Sequence, residues 1–121
     1  MVVEWEGTPH PQARVKVTRR GKASVTYRPD QAHQDELRAR FEALVLEPLT
    51  GSLVLACAFY LPDLRTRDTD NLVKHVADSA NRVLFKDDRQ VTAQMGYVEL
   101  DRERPRTIMM LGPDELSTVR R

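Results

Sequence analysis

Residues 65–75 read RTRDTDNLVKH. Asp68 and Asp70 lie two apart, Lys74 follows Asp70 by one helical turn, and Arg65 and Arg67 stand just upstream. Carboxylates hold hard cations through oxygen, and Mg²⁺ sites typically use about one or two of them with water and a substrate phosphate. A helix beginning here would offer free N–H groups and partial positive charge, which favour phosphate oxygens. Lys74 would then contact a scissile phosphate or steady charge on a leaving oxygen. A second acidic pair, Asp87 and Asp88, follows in FKDDRQV. Two carboxylate clusters beside Arg65 and Arg67 fit metal-dependent phosphodiester cleavage, in which metal activates water and stabilises the attacking and leaving oxygens.

Each part also has a plainer reading. Asp is a preferred N-cap, which would account for Asp68 or Asp70. Asp70 and Lys74 fit a surface pair worth a few tenths of a kcal/mol. Asp87 and Asp88 fit turn chemistry. His10, His33 and His75 have no ligand spacing, so no zinc site is expected.

The elements that must position these groups follow from periodicity. VVEWE reads as a first strand, and GTPHPQ as irregular chain, because Pro9 and Pro11 cannot join a ladder. ARVKV and ASVTY alternate around TRRGK, which gives a hairpin or an extended arm. A first helix starts at Pro29–Asp30 and stops at Pro48, with Leu37, Phe41, Leu44 and Val45 packed on the sheet. LVLACAFY is apolar at every position, so it reads as a central strand covered on both sides. The second helix is expected from about Asn71 to Leu84, burying Val73, Val76, Ala77, Ala80, Val83 and Leu84. VTAQMGYVEL is a strand with a bulge at Gly96, and TIMMLG closes the sheet after DRERPR. The tail, 113–121, is a candidate for fraying. The expected architecture is one small α/β (α+β) domain over 1–121, with a mixed sheet, two main helices and a basic arm at 14–28.

Composition excludes several classes. The 121 residues are 40% hydrophobic and 31% charged, as in an ordinary globular chain rather than a disordered one. The single Cys57, in an apolar run, excludes an internal disulfide and fits a buried thiol in a reducing, cytoplasmic setting. No apolar run reaches membrane-spanning length, and the start lacks the pattern of a signal peptide, so no membrane partner is expected. No Walker loop, dinucleotide fingerprint or G-x-S-x-G elbow occurs, so no nucleotide cofactor is expected. Pro62-Asp63 could open a restriction-type nuclease pattern, but no suitably placed [DE]-x-K follows. Net charge is only +1, yet Arg14, Lys16, Arg19, Arg20, Lys22 and Arg28 run without an acidic residue. Such a stripe suits a phosphate-binding face.

LPDLRTRDTDNLVKHVADSANRVLFKDDRQV resembles the signature of RusA-type Holliday junction resolvases: an apolar strand, P-D, an Arg-rich bend, D-x-D-N-hydrophobic-x-K, a helix, and D-D before another strand. GTPHPQARVKVTRRGKASVTYRPD is similar to the lead-in of many members, so the likeness covers roughly 4–110. It implies a small homodimeric α/β fold, encoded by bacteria or phages, that binds four-way DNA junctions and nicks two strands symmetrically with Mg²⁺ (Mn²⁺ often substitutes). Asp68, Asp70 and Asp88 would be the essential metal-site carboxylates, Asp87 auxiliary, and Lys74 catalytic or phosphate-contacting. Arg14, Lys16, Arg19, Arg20, Lys22, Arg65, Arg67 and Lys74 would contact DNA. The bend has fewer arginines than some members carry, which bears on junction affinity more than on the metal site. A nuclease of flaps, other branched DNA or RNA, and a non-catalytic DNA-binding module, are the alternative readings.

A helix over 71–84 would span about 20 Å at about 1.5 Å per residue, leaving Asp70 and Asp88 near opposite ends. Either the helix ends early and RVLFKDD folds back, or Asp88 of one subunit completes the site of the other in a two-fold dimer.

Overall fold

The computed structural model describes residues 1–12, 16–20, 23–27, 30–65 and 68–118, with side chains left aside at 16–20, 23–27 and 117–118. The expected order of elements is present. Strand β1 (Val2–Glu6) precedes a hairpin of β2 (Lys16–Arg20) and β3 (Ala23–Tyr27). Helix α1 (Gln31–Glu42), strand β4 (Leu53–Leu61), helix α2 (Thr69–Ala80), strand β5 (Val91–Leu100) and strand β6 (Arg106–Pro113) follow. Short 3₁₀ turns occupy Asp88–Gln90 and Glu115–Thr118.

The main sheet has the order β1-β6-β4-β5, and β2 and β3 form a separate two-stranded antiparallel sheet. β4 pairs antiparallel with β6 and parallel with β5. A parallel neighbour requires a crossover, and α2 provides it. The catalytic candidates therefore sit in a β–α–β unit.

Both helices pack on one face of the sheet. Along β4 every second residue from Leu53 to Leu61 is buried, and those between are only half-buried. The expectation of cover on both sides is thus corrected: β4 is central, but among the described residues no helix covers its outer face. Phe41 meets Trp5 edge-on with centroids 5.6 Å apart, tying α1 to β1. Cys57 is buried in this core, and burial pushes its thiol up to about 12.

Three further expectations change. α1 ends at Glu42, so Leu37 and Phe41 are buried, Val45 only packs against the core, and Leu44 is exposed. α2 ends at Ala80 rather than near Leu84, because Asn81 leaves the helix with an extended ψ of 132° and Arg82, at φ 68°, then turns the chain. Gly96 is not a bulge; the irregular register lies between Leu53 and Val54, opposite Thr92. A Cβ at Gly96 would lie 2.8 Å from Val73 Cγ2 and 3.1 Å from Thr69 Cγ2, so glycine there admits α2 close against β5.

Candidate active site

Helix α2 starts on Asp68. Its carboxylate accepts from the Asn71 backbone N–H at 3.3 Å and from Asn71 Nδ2 at 2.8 Å. This capping satisfies donors that the first helical turn leaves open. Asp70 then falls in the first turn, and Lys74 one turn on, both exposed. Among the described residues Asp70 and Lys74 form no ion pair with each other. Both charges face solvent, and Asp70 also lies in the first turn, where a negative charge favours the helix.

The segment after α2 folds back. Asn81 N–H closes on the Ala77 carbonyl at 3.0 Å, Arg82 reverses the chain, and Phe85 is buried as an anchor. Asp87 then caps the Asp88–Gln90 turn, accepting from the Arg89 N–H at 2.9 Å. The Gln90 side chain completes a capping box by accepting from the backbone of Lys86 and Asp87. Gln90 Nε2 also donates to the Leu49 and Gly51 carbonyls, which fixes this turn to the loop before β4. The Arg89 N–H, the neighbouring Asp88 and the Arg89 guanidinium together hold the Asp87 carboxyl below its ordinary value.

This arrangement leaves a cleft of about 540 Å³ between α2 and the start of β5. Asp70, Asn71, Lys74, Asp78, Asp88 and Gln94 supply its charged and amide groups, with Thr92 at its edge. Asp70, Lys74 and Asp88 of the same chain therefore line one cleft, and the segment after α2 folds back as one of the two expected routes requires. Asp68 and Asp87 are not among its lining residues; both are engaged in capping.

Asp78, Asn71, Thr92 and Gln94 were not singled out from sequence as site residues. The signal for Asp78 was present: it lies one turn beyond Lys74 and two beyond Asp70 on one helix face. The polar residues of an edge strand gave no comparable signal.

Among the described residues no three His, Cys, Asp or Glu side chains are grouped to hold one ion. The oxygen donors of the cleft nevertheless suit a hard cation, whose Mg²⁺ form uses about one or two carboxylates and takes the rest from water and phosphate.

Arg65 is exposed and bonded to Asp63, with Nη2 donating at 3.1 Å and the backbone N–H at 3.0 Å. These bonds hold the Asp63 carboxyl below its ordinary value. An exposed pair of this kind is weak and salt-screened, so phosphate can displace it. Lys16, Arg19 and Arg20 lie in β2, whereas Arg14, Lys22 and Arg67 lie outside the described residues.

Among the described residues the histidines come together without forming a recognisable ligand set. Lacking sequence spacing, they still meet: His10 and His33 stack at 3.9 Å between centroids, and His33 and His75 at 4.9 Å. They form no metal site among the described residues.

No described helix is long and apolar enough to cross a membrane. No curated protein matches the chain. A family model described as Endodeoxyribonuclease RusA matches residues 6–111.

Proposed function

The chain belongs to the RusA endodeoxyribonuclease family, and on that premise we propose that it resolves four-way DNA junctions by paired, symmetric, Mg²⁺-dependent nicks. The observation that carries this reading is the shared cleft of Asp70, Lys74 and Asp88. Family membership makes the chain an endodeoxyribonuclease; its metal dependence, the ion, the residues and the substrate shape are the proposal.

Asp70 and Asp88 would hold the cation with water and a DNA phosphate, and Asp78 stands in the same cleft as a further carboxylate. When bound, the cation supplies charge neutralisation at the phosphate and a more acidic water. Lys74, exposed on the cleft wall, places its ammonium against the phosphate or the leaving oxygen, where charge develops. Asp68 orients the Asn71 amide, which lines the cleft, and keeps a carboxylate next to the site. Asp87 sets the turn that carries Asp88. The basic segment of β2 and β3, with Arg65 and Arg67, guides the strand in.

Paired nicks in a two-fold junction call for two sites, and a two-fold dimer supplies them. The open face of the sheet offers the surface for a second copy. Val2, Met110, Ala56 and Met95 form one cross-strand row over all strands of the main sheet, and Met95 and Met110 are 62% and 55% exposed. Met110→Glu should therefore turn a dimer into a monomer in sedimentation.

The test is cleavage of labelled four-way junction, duplex, flap and single strand, with Mg²⁺ or with chelator. Symmetric paired nicks in the junction, lost with chelator, support the proposal. Equal cutting of flaps or single strands would replace the substrate, and no products with Mg²⁺ would leave a binding module.

A further inference from the structure

Helix α2 carries the cleft on one face and a buried polar chain on another. His75 is 1% exposed, and its Nδ1 lies 3.1 Å from Asp30 Oδ2. Its Nε2 lies 2.7 Å from His33 Nδ1, and His10 stacks on His33. An ionised carboxylate only accepts, so His75 Nδ1 carries the proton toward Asp30. His75 Nε2 is then the acceptor, and His33 donates to it through Nδ1.

These contacts lie at the two feet of one segment. Gln12, just before the basic segment, donates its backbone N–H to the Asn71 carbonyl at 2.9 Å. Asp30, just after it, bonds to His75. Asn71 and His75 are one turn apart on α2, and Asn71 lines the cleft. The chain that leaves for β2 and returns from β3 is thus attached at both ends to the helix that carries Asp70 and Lys74.

We propose that Asp30, His75, His33 and His10 form a clamp that fixes the root of the basic hairpin to α2, positioning the hairpin relative to the cleft and releasing it on protonation. The four act as positioning residues, since none lines the cleft. The proposal rests on the reading that the hairpin contacts DNA. One proton between His75 Nε2 and His33 Nδ1 sustains their bond, whereas protons on both would set N–H against N–H, so the chain of bonds survives only while one of the two atoms is bare. Burial, then the nearby His10 and His75, lowers His33 to about 4. Burial also lowers His75, against the opposing pull of Asp30 and Asp78. From α1, Arg38 reaches the same end of the helix, donating Nη2 to the Asp78 carbonyl at 3.0 Å. A histidine with a lowered folded value is neutral and supportive above its ordinary 6.5, and its contribution is lost as pH falls from there toward about 4.

Two variants test the clamp. His75→Phe keeps a ring and loses both hydrogen bonds; His33→Gln keeps a donor for His75 but cannot take a proton. At pH 7.5, measured by trypsin nicking at Arg19–Arg20 and by junction Kd, His75→Phe should nick faster and bind about tenfold more weakly, the scale of losing charge-assisted bonds. His33→Gln should nick and bind as wild type there, and should escape part of the weakening that wild type shows near pH 5. If His75→Phe does not fold, the His33→Gln pH profile alone decides. A folded His75→Phe with unchanged nicking and Kd, or a His33→Gln pH profile identical to wild type, overturns the clamp. Failure of the wild type to bind any of the DNAs would defeat the proposed function alone, and the nicking comparison would still decide the clamp.

Discussion

In 68–70 and again in 87–88, one carboxylate closes a helix start while its neighbour faces the cleft. Asp68 caps α2 and Asp70 lines the cleft; Asp87 caps the 3₁₀ turn and Asp88 lines the cleft. The capping partner fixes local backbone, and that fixed backbone aims the other. The two regions differ in how they are held. α2 is a 12-residue helix with a buried stripe, so Asp70 rides on an element held by its core. The 88–90 turn has no buried residue of its own and depends on Phe85 and on the Gln90 bonds to Leu49 and Gly51. Charge for chemistry and charge for structure are thus divided between neighbours, and substitutions separate them.

The largest effects belong to the cleft. Asp70→Asn and Asp88→Asn should each lower single-turnover junction cleavage by about 10²- to 10³-fold, the range for removing a group that meets developing charge, with Tm and junction binding near wild type. Lys74→Ala should cost about 10²-fold in the same assay. Normal cutting by Asp70→Asn would remove the assignment of the cleft.

A smaller effect is expected where cap and site adjoin. Asn caps about as well as Asp, so Asp68→Asn retains the helix start and removes only charge. Cleavage should fall at least about tenfold, as for a charge-assisted contact, with thermal unfolding unchanged. Unchanged cleavage would assign Asp68 to capping alone.

The smallest effect is Asp87→Ala. It should cost about 1 kcal/mol of stability, the value of a cap, and lower cleavage only through the position of Asp88. Calorimetry and Mg²⁺ titration of cleavage check it. A loss as large as that of Asp88→Asn would erase the distinction between cap and cleft.

The elements were legible because their signals are local: alternation in β2, β3 and β5, the cap at Asp68, and the apolar stripe of α2. The boundaries that failed depend on tertiary contacts. Nothing local in VVEWE or TIMMLG says which face of β4 stays open; that follows from both helices packing on one side. The end of α2 turns on Asn81 going extended and on Arg82 then adopting a positive φ, which Arg seldom does. Gly96 looked like a bulge because a glycine in a strand usually weakens it, whereas here the closeness of Val73 and Thr69 explains it. Asp70, Lys74 and Asp88 were found by type and spacing, and Asp78 was overlooked although its spacing repeats theirs. The histidine chain links residues more than forty positions apart, His33 to His75 and Asp30 to His75, which no spacing rule reaches.

The central claim is that one chain builds a whole cleft. Mixing Asp70→Asn with Asp88→Asn subunits tests it directly, with wild type mixed with either variant as the control. The account predicts that the mixed dimers stay inactive, because every subunit lacks one carboxylate of its own cleft. Recovery of activity in about half of the sites, as expected if the clefts were shared across a two-fold dimer, would contradict it.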